Sequence, residues 1–252
     1  MEKWRIIISG AKAPEDNMGI DYALWQSAFR GVAPPTLRFY QWNPSSVSFG
    51  YNQSAHRVIN TEFCKAGNIP IVKRPTGGSA IFHDIELTYS FSGNFNGHPS
   101  FASPLGSYFA VCGGIIKGMK KVGASLEIRG FSEGKEPSFT ARDCFSLSSR
   151  HDIVCNNRKV VGSAQRRNGA AFLQHGSILL DIRRDLWENI FLEETDFSKI
   201  VPLDEMLAEK ISPEYLIQIL SEGFEEAFGV VFEEGELTGD EIAASHGKWL
   251  SQ

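Results

Sequence analysis

Cysteine is scarce. The 252 residues hold four, Cys64, Cys112, Cys144 and Cys155, and none of them forms a C-x-x-C pair. That argues against a disulfide framework and against a zinc site. Positive charge is also short, with 25 Lys and Arg against 30 Asp and Glu and a formal net charge of −5. A nucleic-acid binder normally shows a basic excess, so no nucleic-acid partner is expected. No apolar run approaches the roughly 20 residues that cross a bilayer, and the apolar stretch behind Met1-Glu2-Lys3-Trp4 is too short for a secretory signal. The expectation is a chain of the reducing cytoplasm with no membrane partner. H-E-x-x-H, EF-hand, P-loop and G-x-S-x-G patterns are missing as well, so no metal ligand is nominated and serine-hydrolase chemistry has no support.

What is present is ordinary for a globular protein, with 42% hydrophobic and 22% charged residues. Short alternating or buried-type runs predict strands at Trp4–Ser9, Leu37–Trp42, Val47–Tyr51, Ile69–Lys73, Glu86–Ser92 and Leu126–Arg129. Helical spacing predicts helices from Met18 to Phe29, capped by Asp16 or Asn17, and from Pro104 to Val122. Later helices are expected at Arg183–Phe191, at Pro213–Phe228 and, from a Thr238…Glu241 capping box, to Leu250. Hairpins outnumber βαβ units, so the fold class is α+β, a mixed and largely antiparallel sheet flanked by helices. Residues 1–252 read as one catalytic domain with a helical C-terminal extension from about residue 183, without an evident linker, repeat or low-complexity tract.

Two stretches carry chemistry. The first is Lys73-Arg74-Pro75-Thr76-Gly77-Gly78-Ser79, followed by Ala80-Ile81-Phe82-His83-Asp84. Its glycine pair permits positive φ and lets backbone approach a ligand; a plain tight turn is the commoner use of such a pair. The second runs from Asp143 to Asp181. Asn156-Asn157 suits a two-residue hairpin turn, with His151–Cys155 before it and a strand from Arg158 after it. Arg167-Asn168-Gly169 makes a second turn into the apolar strand Ala171–Leu180. Cys144 falls in the loop before the hairpin and Lys159 just beyond its tip, so a thiol and an amine share one β-scaffold. Cys112 lies on the apolar stripe of its helix and Cys64 in a short helix, both core positions. Cys155 sits at the hairpin tip, a rival thiol without a motif. His83 and His175 stand in F-H-D and Q-H-G-S, where a hydrogen-bonded structural role is weighed against general-base catalysis.

Together the two stretches resemble the lipoate–protein ligase and octanoyltransferase family, which is similar in fold to biotin–protein ligases. Both motifs occur in the family's order, and weaker matches extend from about Asp16 past Asp181. Lys73 stands where arginine is common, and Ser79 where glycine or arginine is common. The resemblance implies that Arg74, Gly77, Gly78, Ser79 and His83 border the substrate, with Gly162, Ser163, Ala164, His175 and Gly176 on the facing strands. It makes Lys159 the active-site lysine that holds the acyl carbonyl and stabilises the oxyanion. Cys144-Phe145-Ser146 matches a transferase subclass whose cysteine takes octanoate as an enzyme thioester. A thiolate is the nucleophile there, and a nearby cation favours it.

The implied reaction moves octanoate from octanoyl-acyl carrier protein through Cys144 to a lysine of a lipoyl-domain protein, the glycine-cleavage H protein or an E2 subunit. No cofactor is required for it. The alternatives are an ATP- and Mg-dependent lipoate–protein ligase working through lipoyl-AMP, and an amidotransferase between H protein and E2. The chain after Asp181 is short beside the accessory domain that ligases commonly carry, and a non-catalytic acyl or lipoyl-domain binder would not need Cys144 and Lys159. An acidic carrier needs a basic docking face, for which Arg166-Arg167, Arg183-Arg184 and Lys120-Lys121 are candidates, each also readable as a solvated charged surface.

Overall fold

The computed structural model describes residues 1–101, 103–130 and 152–247. Eight strands form the main sheet, in the order β11-β1-β2-β6-β10-β9-β8-β7. Their ranges are β1 (Glu2–Lys12), β2 (Thr36–Trp42), β6 (Glu86–Asn94), β7 (Glu127–Ile128), β8 (Ile153–Cys155), β9 (Arg158–Asn168), β10 (Ala171–Leu179) and β11 (Val230–Glu234). β1 runs parallel to β2 and β11, and the remaining pairs are antiparallel. A second sheet holds β3 (Ser46–Phe49) between β4 (Ile71–Lys73) and β5 (Ile81–His83). This is the mixed, mainly antiparallel α+β architecture expected from the hairpin-rich order of elements.

Strand alternation divides the main sheet into two unlike faces. Leu37 and Phe39 on β2, Leu87, Tyr89 and Phe91 on β6, and Phe172 and Ile178 on β10 join one apolar core. Helices α3 (Pro104–Lys120) and α6 (Pro213–Phe228) cover that face. Phe91 stacks on Phe172, Phe224 and Phe228 at centroid separations of 5.7–6.1 Å, and Trp4 lies 4.9 Å from Phe228. The two helices approach through glycines: a Cβ on Gly223 would lie 2.2 Å from the Gly118 nitrogen and 2.5 Å from the Gly114 carbonyl oxygen.

The alternate residues of the same strands are polar: Arg38, Tyr40, Thr88, Ser90, His175 and Ser177, all buried. Helix α1 (Pro14–Arg30) lies over this second face. It begins four residues before the expected start, with Ala13 as N-cap and no side-chain cap. Asn17, read from the sequence as a possible cap, is instead fully buried. Its Oδ1 accepts from Arg38 Nη2 at 2.7 Å and its Nδ2 donates to the Gln41 carbonyl at 2.9 Å. Proline at the first helical position needs no hydrogen-bond partner for its nitrogen, which frees Asn17 for this role.

The remaining helices are α2 (Thr61–Ala66), α4 (Arg184–Ile190), α5 (Leu203–Met206) and α7 (Gly239–Ser245). The Thr238–Glu241 capping box forms, but α7 ends at Ser245; the expected extension to Leu250 reaches residues outside the described ones. Arg5 donates to both carboxylate oxygens of Glu241, at 2.9 and 2.7 Å, so α7 is tied to the strand that pairs with β11.

Candidate acyl-transfer pocket

Lys159 owes its direction to one extra residue. Across the β8–β9 hairpin Cys155 opposes Arg158 and Val154 opposes Lys159, but Ile153 opposes Val161, so Val160 is a bulge. Asn156 and Asn157 both take positive φ, 48° and 63°, as a tight hairpin tip requires. Residues 159 and 162 would face opposite ways on a regular strand. With the bulge between them they share a face, which is how bulges re-aim side chains. The Lys159 side chain lies directly over Gly162, where a Cβ would meet Lys159 Cε at 2.7 Å and Nζ at 2.8 Å. Its ammonium pairs with Asp152 Oδ1 at 3.0 Å, and its carbonyl accepts from the Val201 backbone at 2.9 Å.

Lys159 opens into a cavity of about 180 Å³ on the polar side of the sheet. Gly162, Ser163 and Ala164 of β9 and His175 and Gly176 of β10 line it, together with Arg74, Gly78, Ser79 and His83. Most residues nominated from the sequence are therefore brought to one place. Gly77 does not line the cavity, but its carbonyl is part of the loop's internal bonding. Cys144 lies outside the described residues.

The glycine loop is held from below by Arg74. Its guanidinium donates to the carbonyls of Gly77 and Ser79, each at 2.7 Å, and reaches Ser48 Oγ at 3.2 Å. Burial pulls this group down to about 10, still far above neutrality. Thr76 adds a backbone tie, its carbonyl accepting from the Tyr51 nitrogen at 2.8 Å. Gly78 takes φ of +88°, and Gly50 leaves room for the Gly78 carbonyl, which would sit 2.2 Å from a Cβ at that position. Arg166 closes the loop from the other side, donating to the Pro75 carbonyl at 2.8 Å between the rings of Trp25 and Tyr51. Its side chain is spent on the loop, unlike a free docking residue. Arg183 and Arg184 pair with Asp84 and Glu205, and Lys121 with Glu222.

Two hydroxyl–imidazole–carboxylate chains brace the wall. His175 Nε2 lies 2.6 Å from Thr76 Oγ1, and Nδ1 lies 2.9 Å from Asp21 Oδ2. Asp21 also accepts from Arg38, Tyr40 and Ser90 at 2.7–2.8 Å. Burial pushes the Asp21 carboxyl up, but the His175 hydrogen bond and the Arg38 charge outweigh it, so the group sits below its usual value and is ionised. Burial pulls His175 down, so its neutral ring donates from Nδ1 to Asp21 and accepts the Thr76 hydroxyl at Nε2. In the second chain Ser48 Oγ lies 2.7 Å from His83 Nε2, and His83 Nδ1 lies 2.9 Å from Glu86. Glu86 also accepts from Thr88 and Ser177. Trp42 stacks on His83 at 3.9 Å and donates to Thr88 at 2.8 Å. Both histidines are thus engaged at both ring nitrogens, and both line the cavity.

Apolar residues that the sequence did not nominate, Trp42, Leu179, Trp187 and Ile200 among them, share the wall with the hydroxyl-bearing Tyr40, Ser48, Thr88 and Ser177. Trp187 and Ile200 come from the C-terminal extension that starts near residue 183. The spacing Arg38-x-Tyr40-x-Trp42 was the available signal for β2, since a strand that alternates bulky polar-tipped residues with Leu37 and Phe39 has two buried faces. Cys112 and Cys64 are core residues, and burial drives the Cys112 thiol up to about 12. Cys155 is half-buried at the hairpin tip.

The stretch of chain that builds this cavity is matched by a family model. Residues 13–225 match the lipoyl protein ligase A/B catalytic domain. The chain belongs to this family. The octanoyltransferase LipM of Kyrpidia tusciae is 36% identical, over 96% of this chain and 93% of its own length. That of Bacillus subtilis strain 168 is 35% identical, over 97% and 93%. Among solved structures, lipoate-protein ligase A bound with ATP superposes with a TM-score of 0.82 at 20% identity, covering all of this chain and 97% of the other. The putative lipoate protein ligase of T. acidophilum with bound lipoic acid gives 0.78 at 22% identity, over 97% and 93%. These structural likenesses establish that the fold is that of the lipoate ligases. Every residue that lines the cavity falls within the stretch matched by the catalytic-domain model.

Proposed function

We propose that this protein is an octanoyltransferase of protein lipoylation, moving octanoate from acyl carrier protein to a lysine of a lipoyl-domain protein through a Cys144 thioester. The observation that carries the reading is the Lys159 ammonium at the wall of an apolar cavity floored by Gly162, Ser163 and Ala164. Family membership and relatives named octanoyltransferase support acyl transfer as the reaction class. A solved archaeal ligase with its E2 lipoyl domain shares the fold, which fits a lipoyl-domain acceptor.

In the first half-reaction the Cys144 thiolate attacks the thioester carbonyl of the donor. The developing oxyanion is held by the Lys159 ammonium, and the carrier's pantetheine thiolate leaves with the electrons of the broken C–S bond. In the second, the neutral amine of the acceptor lysine attacks the enzyme thioester. The same ammonium receives the oxyanion, the amide forms, the amine's proton is released and the Cys144 thiolate returns. Donor and intermediate are both thioesters, so the transfer balances without ATP as a co-substrate. Arg74 keeps the glycine loop in place, and the two histidine chains hold the wall rigid while acyl chains exchange.

Intact-protein mass spectrometry with octanoyl-acyl carrier protein and no ATP tests this. Wild type should gain about 126 Da, the Cys144→Ala variant nothing, and the adduct should pass to H protein. Acceptor modification that appears only with ATP and free acid would make the protein a ligase instead. Failure to modify an acceptor under either condition would leave a binding module.

A further inference from the structure

Asp152 precedes β8 and is buried, with 5% of its side chain exposed. Its carbonyl accepts from the Arg129 nitrogen at 2.9 Å, which fixes the backbone beside β7. Its carboxylate lies 3.0 Å from Lys159 Nζ, and the bulge at Val160 brings the two together from opposite strands of the hairpin. Gly162 supplies the third side of this arrangement, because any Cβ there would occupy the space of the lysine's last carbon and nitrogen.

We propose that Asp152 is a positioning residue for the transfer reaction: it draws the Lys159 ammonium down onto Gly162 and holds it where the oxyanion forms. This rests on the reading of Lys159 as the oxyanion-holding cation. A lysine has four rotatable bonds, and holding its side chain in one place costs rotamer entropy. A buried carboxylate on a fixed backbone offsets that cost before substrate arrives, and preorganised charge is what stabilises a transition state most. Asp152 touches no reacting atom; it acts through Lys159.

The test is a kinetic double-mutant cycle of Asp152→Asn with Lys159→Ala, and Asp152→Glu as the conservative variant. Asp152→Asn should lower kcat about tenfold with KM within about twofold, because only the transition state loses an interaction. Asp152→Glu should recover part of the loss. In the Lys159→Ala background, Asp152→Asn should change nothing further. An equal loss in both backgrounds would overturn the proposal and leave Asp152 a structural acid. A second measurement needs no turnover: 15N relaxation of the Lys159 ammonium, assigned by the signal lost in Lys159→Arg. The ammonium should be ordered in wild type and mobile in Asp152→Asn, and unchanged order would also overturn the proposal. If the ammonium loses its order while wild type transfers no octanoyl group, the functional reading fails and the positioning stands.

Discussion

Lys159 and Gly162 divide one small space between them. A methyl group at residue 162 would meet the side-chain end of the lysine, within 2.7–2.8 Å, so the lysine and not the backbone must yield. Gly162→Ala should therefore lower kcat by about 10- to 100-fold while leaving the melting temperature nearly unchanged, as a misplaced catalytic group does. Steady-state kinetics beside a thermal melt would check it. His175 gives a prediction in pH. Its folded value lies below the ordinary 6.5, so the unfolded chain binds the extra proton first as pH falls. The stability it supports is complete above about pH 6.5 and is lost progressively below it, towards the lowered folded value. Urea denaturation of His175→Gln should then show a shallower decline than wild type from pH 7 to pH 5, by up to about 1.4 kcal/mol per pH unit. Coincident slopes would assign the decline to other groups.

Among the elements, the α3–α6 crossing is set by glycine. Alanine at Gly223 gains about 1 kcal/mol of helix propensity, but its methyl would stand 2.2 Å from the Gly118 backbone nitrogen, which no rotamer change relieves. Overpacking of this kind costs about 1–3 kcal/mol, so the clash wins and Gly223→Ala should be destabilised on balance, read as a lower urea midpoint. Nothing in the sequence marked these glycines, because a helical apolar stripe does not say how close its partner comes. The α3 stripe itself, the Asn156-Asn157 turn and the Thr238–Glu241 capping box were legible, since spacing and turn chemistry are local properties. The α1 start was misplaced because Asn17 had two possible uses, and a long-range partner, Arg38, took it. The pocket was legible along β9, β10 and the glycine loop, where the family motifs lie. Trp42, Ser48, Trp187 and Ile200 were not, because they meet only after the chain has crossed both sheets. The β8–β9 bulge was equally hidden, since it depends on which residues pair.

At the scale of the molecule, the first strand and the last strand of the described residues pair at one edge of the main sheet. β1 pairs with β11, and Arg5 holds the buried Glu241 of α7 through two hydrogen bonds. Arg5→Ala strands that carboxylate without its cation, which should cost about 3 kcal/mol in urea unfolding. Activity per folded molecule should stay at the wild-type level, because neither residue reaches the cavity. The cavity nevertheless depends on the later chain, since Trp187 and Ile200 form part of its wall and the Val201 nitrogen anchors the strand that carries Lys159.

The extra residue at Val160 also acts as a change of phase along β9. Before it, side chains keep the beat set by the hairpin tip; after it, they keep the beat set by β10, whose register runs unbroken from Ala171 to Ile178. Lys159 is the last residue on the first beat and Gly162 is already on the second. The tip can thus lengthen or shorten in steps of a residue pair without moving the wall of small residues, whereas removing the single odd residue would turn the lysine away from the cavity and leave the rest of the strand in place.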